Sequence, residues 1–202
     1  MKKEILTRIK ELGGNIDHAD GGSIEDDLKS IKFNTVLYPK TENTPWSSKH
    51  DSEPIYGIGD FIDQHINLFQ SDATEFYNKI LNKYYQYTEE SFGQVFFKHD
   101  IFTPFKKGSD DYDEWKGEWN QGDIRKVVVG GELVFMIIGT SYGYPDTHFI
   151  CLTDPDSKNP MVYATDTDTY FDDITKIGTL EDYFNSFLSK HELLVVLKNT
   201  LR

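Results

Sequence analysis

Apolar positions follow two regimes along this chain, helical spacing in the first half and short continuous runs in the second. Ile5, Leu6, Ile9 and Leu12 share one face of a short amphipathic helix, which Gly13-Gly14 ends. Asp20-Gly21-Gly22-Ser23 breaks the chain again, and Ser23 with Asp26 is placed to cap a brief turn of helix. Phe33 to Tyr38 is β-like before Pro39. Residues 41–54 are polar, hold two prolines and Trp46, and predict a long loop. Phe61, Ile62, Ile66 and Phe69 have helical spacing over 60–69. Asp72-Ala73-Thr74-Glu75 then reads as a capping box, with Asp72 at the N-cap and Glu75 reaching back. Phe76, Tyr77, Ile80, Leu81, Tyr84 and Tyr85 continue as an aromatic stripe that core packing explains better than a ligand box.

The second half predicts strands. Residues 93–105 are extended, and 109–123 are acidic and aromatic together. Val127-Val128-Val129 and Leu133-Val134-Phe135 flank Gly130-Gly131, which suits a tight hairpin needing positive φ. The run Leu133 to Ile138 breaks at Gly139-Thr140-Ser141-Tyr142-Gly143. His148 to Thr153, Met161 to Ala164, Tyr170 to Ile177 and Thr179 to Phe184 follow, fitting three short strands and a closing helix. The pattern predicts one α+β domain over residues 1–202. It has a mixed, mainly antiparallel sheet in the C-terminal half, helices covering one face, and an elaborated N-terminal part over about residues 1–56.

Composition narrows the function. Aromatic residues make up 14% of the chain, which argues for a packed globule despite a mean hydropathy of -0.55. No run of 18 or more apolar residues exists to span a bilayer. The first residues turn charged and amphipathic at once, unlike a secretory leader. Cys151 is the sole cysteine and suits a reducing compartment, so the expected location is cytoplasmic. A net charge of -13 repels nucleic acid and anionic membranes and attracts a basic protein, although acidity also serves solubility alone.

Most candidate chemistry lacks its context. Gly139-Thr140-Ser141-Tyr142-Gly143 matches the nucleophile-elbow pattern, with His191 downstream, but Pro145 and a β-like run replace the helix that an elbow requires. Counted as calcium loops from Asp154 or from Asp166, the sixth positions are Asn159 and Phe171 and the twelfth are Thr165 and Ile177, so both fail. Asp154, Asp156, Asp166 and Asp168 read instead as turn residues. The six histidines lack zinc spacing, Asp146-Thr147-His148 reads as loop hydrogen bonding, and Gly57-Ile58-Gly59 lacks a dinucleotide fingerprint. The expectation is no enzyme, no cofactor and no metal. What remains is Asp110, Asp111, Asp113, Glu114, Trp115 and Trp119, where tryptophan anchors flanked by acids suit a basic protein partner. The competing reading tucks both tryptophans inward and leaves the acids in water.

One resemblance sharpens this. Gly139, Gly143 and Asp146 lead into the run His148 to Thr153, then Met161 to Ala164, an acidic turn at Asp166 and Asp168, and a closing stretch Thr179 to Leu188 that ends in Phe184, Phe187 and Leu188. This C-terminal third resembles the SUKH superfamily of bacterial immunity proteins and fungal regulators of cell-wall glucan synthesis. The family's Leu-Pro-x-x-Tyr or -Phe opening is absent, and Glu192 to Leu201 extends past the usual final helix. The resemblance implies no shared catalytic residues. It implies a protein that neutralises a toxin, often a nuclease, by direct binding, or alternatively an intracellular scaffold or regulator of envelope synthesis.

Overall fold

The computed structural model describes residues 1–40, 44–46, 55–86, 95–141 and 145–201. Most of the predicted loop over 41–54, and Tyr142 and Gly143 of the glycine-rich stretch, lie outside these.

Helix α1 (Lys3–Glu11) buries Ile5 and Ile9 as their spacing predicts, and Gly13 ends it at φ 95°. Strand β1 (Gly14–Asn15) pairs antiparallel with β2 (Lys32–Phe33) around α2 (Ile24–Ser30), which Ser23 caps by accepting the Asp26 N–H. The extended run from Phe33 to Tyr38 is divided. Its far end forms β3 (Tyr38–Pro39), which pairs with a different strand from that of β2.

The segment 60–69 forms two helices, α3 (Ile58–Gln64) and α4 (Ile66–Ser71), with His65 at the break. His65 there stacks on Phe61 at 4.0 Å, and its Nδ1 lies 2.9 Å from the Phe61 carbonyl. Asp72 caps α5 (Ala73–Tyr85) by accepting the Glu75 N–H at 3.0 Å. The reciprocal half of the capping box does not form, because the Asp72 N–H already donates to Leu68 O at 2.7 Å. The aromatic stripe is core as expected: Phe76, Ile80, Tyr84 and Tyr85 are buried.

Strand β4 (Val95–Phe102) opens a five-stranded meander. After it come α6 (Asp110–Trp115) and α7 (Gln121–Ile124), then β5 (Phe135–Ser141), β6 (Thr147–Cys151), β7 (Met161–Thr165) and β8 (Thr175–Thr179). The order is β4-β5-β6-β7-β8 and every pairing is antiparallel, as short sequential connections dictate. Both edge strands carry an extra residue: Lys98 and His99 stand opposite a single residue of β5, and Ile177 of β8 has no partner on β7.

The predicted Val127–Phe135 hairpin is not formed. The N–H groups of Val127 and Val128 both donate to Ile124 O at the end of α7, and the Val129 N–H donates to the Tyr163 hydroxyl. No ladder partner is left for a strand. Gly130 is needed for closeness rather than for a turn, since a Cβ there would sit 2.6 Å from Cys151 Sγ.

Alternation along the strands sends side chains to two layers. Met136, Ile150 and Val162 pack under α1, α2 and a helix α8 (Leu180–Asn185). Phe135, Phe149, Cys151 and Tyr163 face the other way, against Ile124, Val128, Leu133 and Phe171. Coverage of one face alone was expected, but the 103–133 segment closes the second. The closing stretch is also more than a helix. Ser186 Oγ bonds back to Tyr183 O, and the chain then leaves as β9 (Phe187–Leu188) to pair with β3 before α9 (Lys190–Thr200). α9 joins α3, α5 and β3 in a third apolar cluster.

Arg8 ties these parts together, donating to Phe187 O at 2.6 Å, Glu192 at 2.7 Å and Glu11 at 3.0 Å. Burial acts to raise the Glu192 pKa, but hydrogen bonds from Arg8, Lys40 and Ser189 outweigh it and hold the carboxyl at about 2. Its unfolded value near 4.5 is higher, so its stabilisation is present above that pH and fades as pH falls toward 2. Comparing urea midpoints of wild type and Glu192→Gln should therefore give a gap at pH 7 that narrows below pH 4.5. A gap constant down to pH 2.5 would refute the linkage.

Candidate functional site

The motifs weighed for catalysis and metal binding are placed as follows. Ser141 closes β5, its Oγ donates to Pro145 O at 3.3 Å, and β6 follows where an elbow requires a helix. Asp146 accepts from Thr147 Oγ1 at 3.1 Å, from the Thr167 N–H at 2.9 Å and from the Thr167 hydroxyl, so it is loop cement. His148 does not pair with it. Burial lowers the His148 pKa to about 4 against the raising influence of Asp146. Asp154, Asp156 and Asp166 accept backbone N–H groups two or three residues ahead, the turn chemistry expected of them. Among the described residues no group of three His, Cys, Asp or Glu is arranged to hold a metal ion. The depressions beside Lys3, Glu4, Thr7, Arg8 and Glu11, and beside Lys10, Gly13, Asn15 and Asp17, are open to solvent.

The acidic–aromatic segment is built differently. Ser109 caps α6 through the Tyr112 N–H, and its own hydroxyl donates to Thr103 O at 2.8 Å. Asp111 accepts the Thr103 N–H at 2.7 Å and the Thr103 hydroxyl at 2.9 Å, so it clamps the segment. Asp110, Asp113 and Glu114 are exposed. Trp115 and Trp119 are half-buried and stacked, with centroids 4.8 Å apart and 20° between planes. Trp119 turns its edge to Phe102 and Phe171 at 6.2 and 5.2 Å. Trp119 packs against the cluster under the second sheet face, and both tryptophans keep part of their surface in water.

Phe171 brings in residues the sequence did not single out. It sits on the turn Tyr170–Asp172 between β7 and β8, and its contact with Trp119 carries the exposed Asp168, Asp172 and Asp173 toward the tryptophan stack. No local pattern joins two segments about fifty positions apart in the numbering; the strand register and ring contacts such as Phe171 with Trp119 and Phe105 do. The surface is not uniformly acidic. Lys106, Lys107 and Lys116 interleave with the carboxylates, and Lys116 lies 3.7 Å from Asp113.

Comparison of the chain with family models, curated proteins and solved structures finds no match. The structure itself defines an α+β protein whose antiparallel sheet is covered on both faces. No described helix is long and apolar enough to cross a membrane.

Proposed function

We propose that this protein is a non-enzymatic immunity protein that neutralises a basic toxin domain, such as a nuclease, by direct binding. The observation that carries the reading is the stacked Trp115–Trp119 pair, half in water, with the exposed Asp110, Asp113 and Glu114 on the same short segment. Half-exposed tryptophans combine apolar area with a polar tip, and the surrounding charge orients an encounter with a cationic surface. The net charge of -13 adds long-range attraction for such a partner. The resemblance of the C-terminal third to the SUKH superfamily supports the same reading.

A tagged chain drawn from its native cells, washed at low and then high salt, should retain a stoichiometric basic toxin-like protein. Recovery of constitutive or envelope-synthesis proteins instead would favour the regulator. With the partner in hand, changing Asp110, Asp113 and Glu114 to Ser is expected to slow association about tenfold or more and flatten its salt dependence. Trp115→Ala should weaken binding about thirtyfold, a loss of ~2 kcal/mol, mainly through faster dissociation. Unchanged kinetics in both variants would remove this surface from consideration. Asp111 is excluded from the set because its clamp on Thr103 would confound the result.

A further inference from the structure

Buried tyrosines in this protein find partners. Tyr38 donates to Tyr84 O, Tyr84 to Gly57 O, Tyr85 to Leu188 O, and Tyr163 accepts from the Val129 N–H. Among the described residues Tyr183 is the exception: it is 2% exposed, and its hydroxyl has no hydrogen-bond partner there. Beside it stands His148, with ring centroids 5.4 Å apart and a buried Nδ1 that is also unpartnered.

The placement of this pair gives it leverage. His148 shares the β6 face with Ile150, directly beneath α8, and its cross-strand neighbours are Gly139 and Ala164. Among the described residues Asp146 is the one charged group acting in favour of an imidazolium there, and burial outweighs it. Asp146, the one carboxylate acting on His148, is engaged by Thr147 and Thr167. On α8, Asp182 is held in the capping box with Thr179, and Glu181 faces Lys2 and Asn159. Tyr183 itself packs edge-on to Phe184 and Phe187, so α8 and β9 move with it.

We propose that His148 and Tyr183 form an acid-operated latch: protonation of the imidazole unseats α8 from the sheet and frees β9 from β3. The device is independent of the toxin-binding reading. At neutral pH the imidazole is uncharged whether α8 is seated or not, so the latch is closed. Below about 6.5 a solvated His148 in the open form takes a proton that the seated form refuses until about 4. The seated fraction therefore falls relative to the open one across that window, by about a hundredfold at full effect.

Amide hydrogen exchange on the full chain tests this, with protection factors followed from pH 7 to pH 4. The amides of Tyr183 and Phe184 should lose protection by about a hundredfold while those of Met136 and Ile150 hold. His148→Phe, which fills the site and takes no proton, should keep α8 protected throughout. Loss of protection in step across α8 and the sheet, or a His148→Phe response like that of wild type, would overturn the latch. If His148→Phe does not fold, Tyr183→Phe and an NMR titration of the His148 ring decide. A midpoint well below 6.5, with acid sensitivity of α8 retained in Tyr183→Phe, supports the latch. A midpoint at or above 6.5 ends it.

Discussion

Replacing Phe171 by alanine is expected to cost about 3–5 kcal/mol of stability and to loosen the 103–133 segment from the sheet. The ring is 7% exposed and meets Phe135 at 4.8 Å, Trp119 at 5.2 Å, Phe149 at 5.6 Å, Phe102 at 5.7 Å and Phe105 at 6.0 Å. Its loss removes apolar burial and leaves a cavity between layers that cannot collapse, because Phe135 and Phe149 are fixed in the sheet. Two of the chain's three tryptophans rest on this cluster, so intrinsic fluorescence should shift to the red in the folded variant. Phe171→Leu should recover part of the loss. A urea midpoint within about 1 kcal/mol of wild type, with unchanged emission, would show that the segment is held by other contacts.

The second large effect is expected at Asp27. The α-ammonium of Met1 lies 2.7 Å from its Oδ2, and the two partners are 0% and 1% exposed. Oδ1 accepts the Gly21 N–H at 2.9 Å and so holds the loop ahead of α2. Asp27→Ala would strand a buried cation and an unpaired amide together, a loss of about 3–5 kcal/mol. Asp27→Asn separates the two contributions, since its side-chain oxygen can still accept from Gly21 while the charge is gone. Urea titration of both variants should place Asn between wild type and Ala. Equal values for Asn and Ala would assign the whole effect to the charge.

What the sequence made legible was chemistry closed within a few residues. Ser23, the N-cap half of Asp72 and the apolar spacing of α1 and α5 act locally, and each is seen in the structure. The inner strands β5, β6 and β7 were legible as apolar runs, because a sheet covered on both faces has few polar positions to interrupt them there. Gly130-Gly131 misled for an instructive reason. Glycine pairs mark turns when the backbone needs positive φ, but here Gly130 makes room for Cys151, twenty-one positions further along in the numbering. The capping box at Asp72 failed in one half because a neighbouring helix had already claimed the N–H. At the candidate site, composition pointed to Asp110, Asp113, Glu114 and the tryptophans. It could not separate Asp111, whose partner Thr103 precedes the helix, nor reach Asp168 and Asp172 across the sheet.

The extra residues in β4 and β8 limit how this protein can be recognised. A ladder extends to another chain only where the outer strand offers evenly spaced N–H and C=O groups. Here one border is interrupted at Lys98-His99 and bridged to Leu37 at Val95, and the other is interrupted at Ile177 beside Lys176. Each interruption shortens the regular backbone row that its edge could offer to a visiting strand.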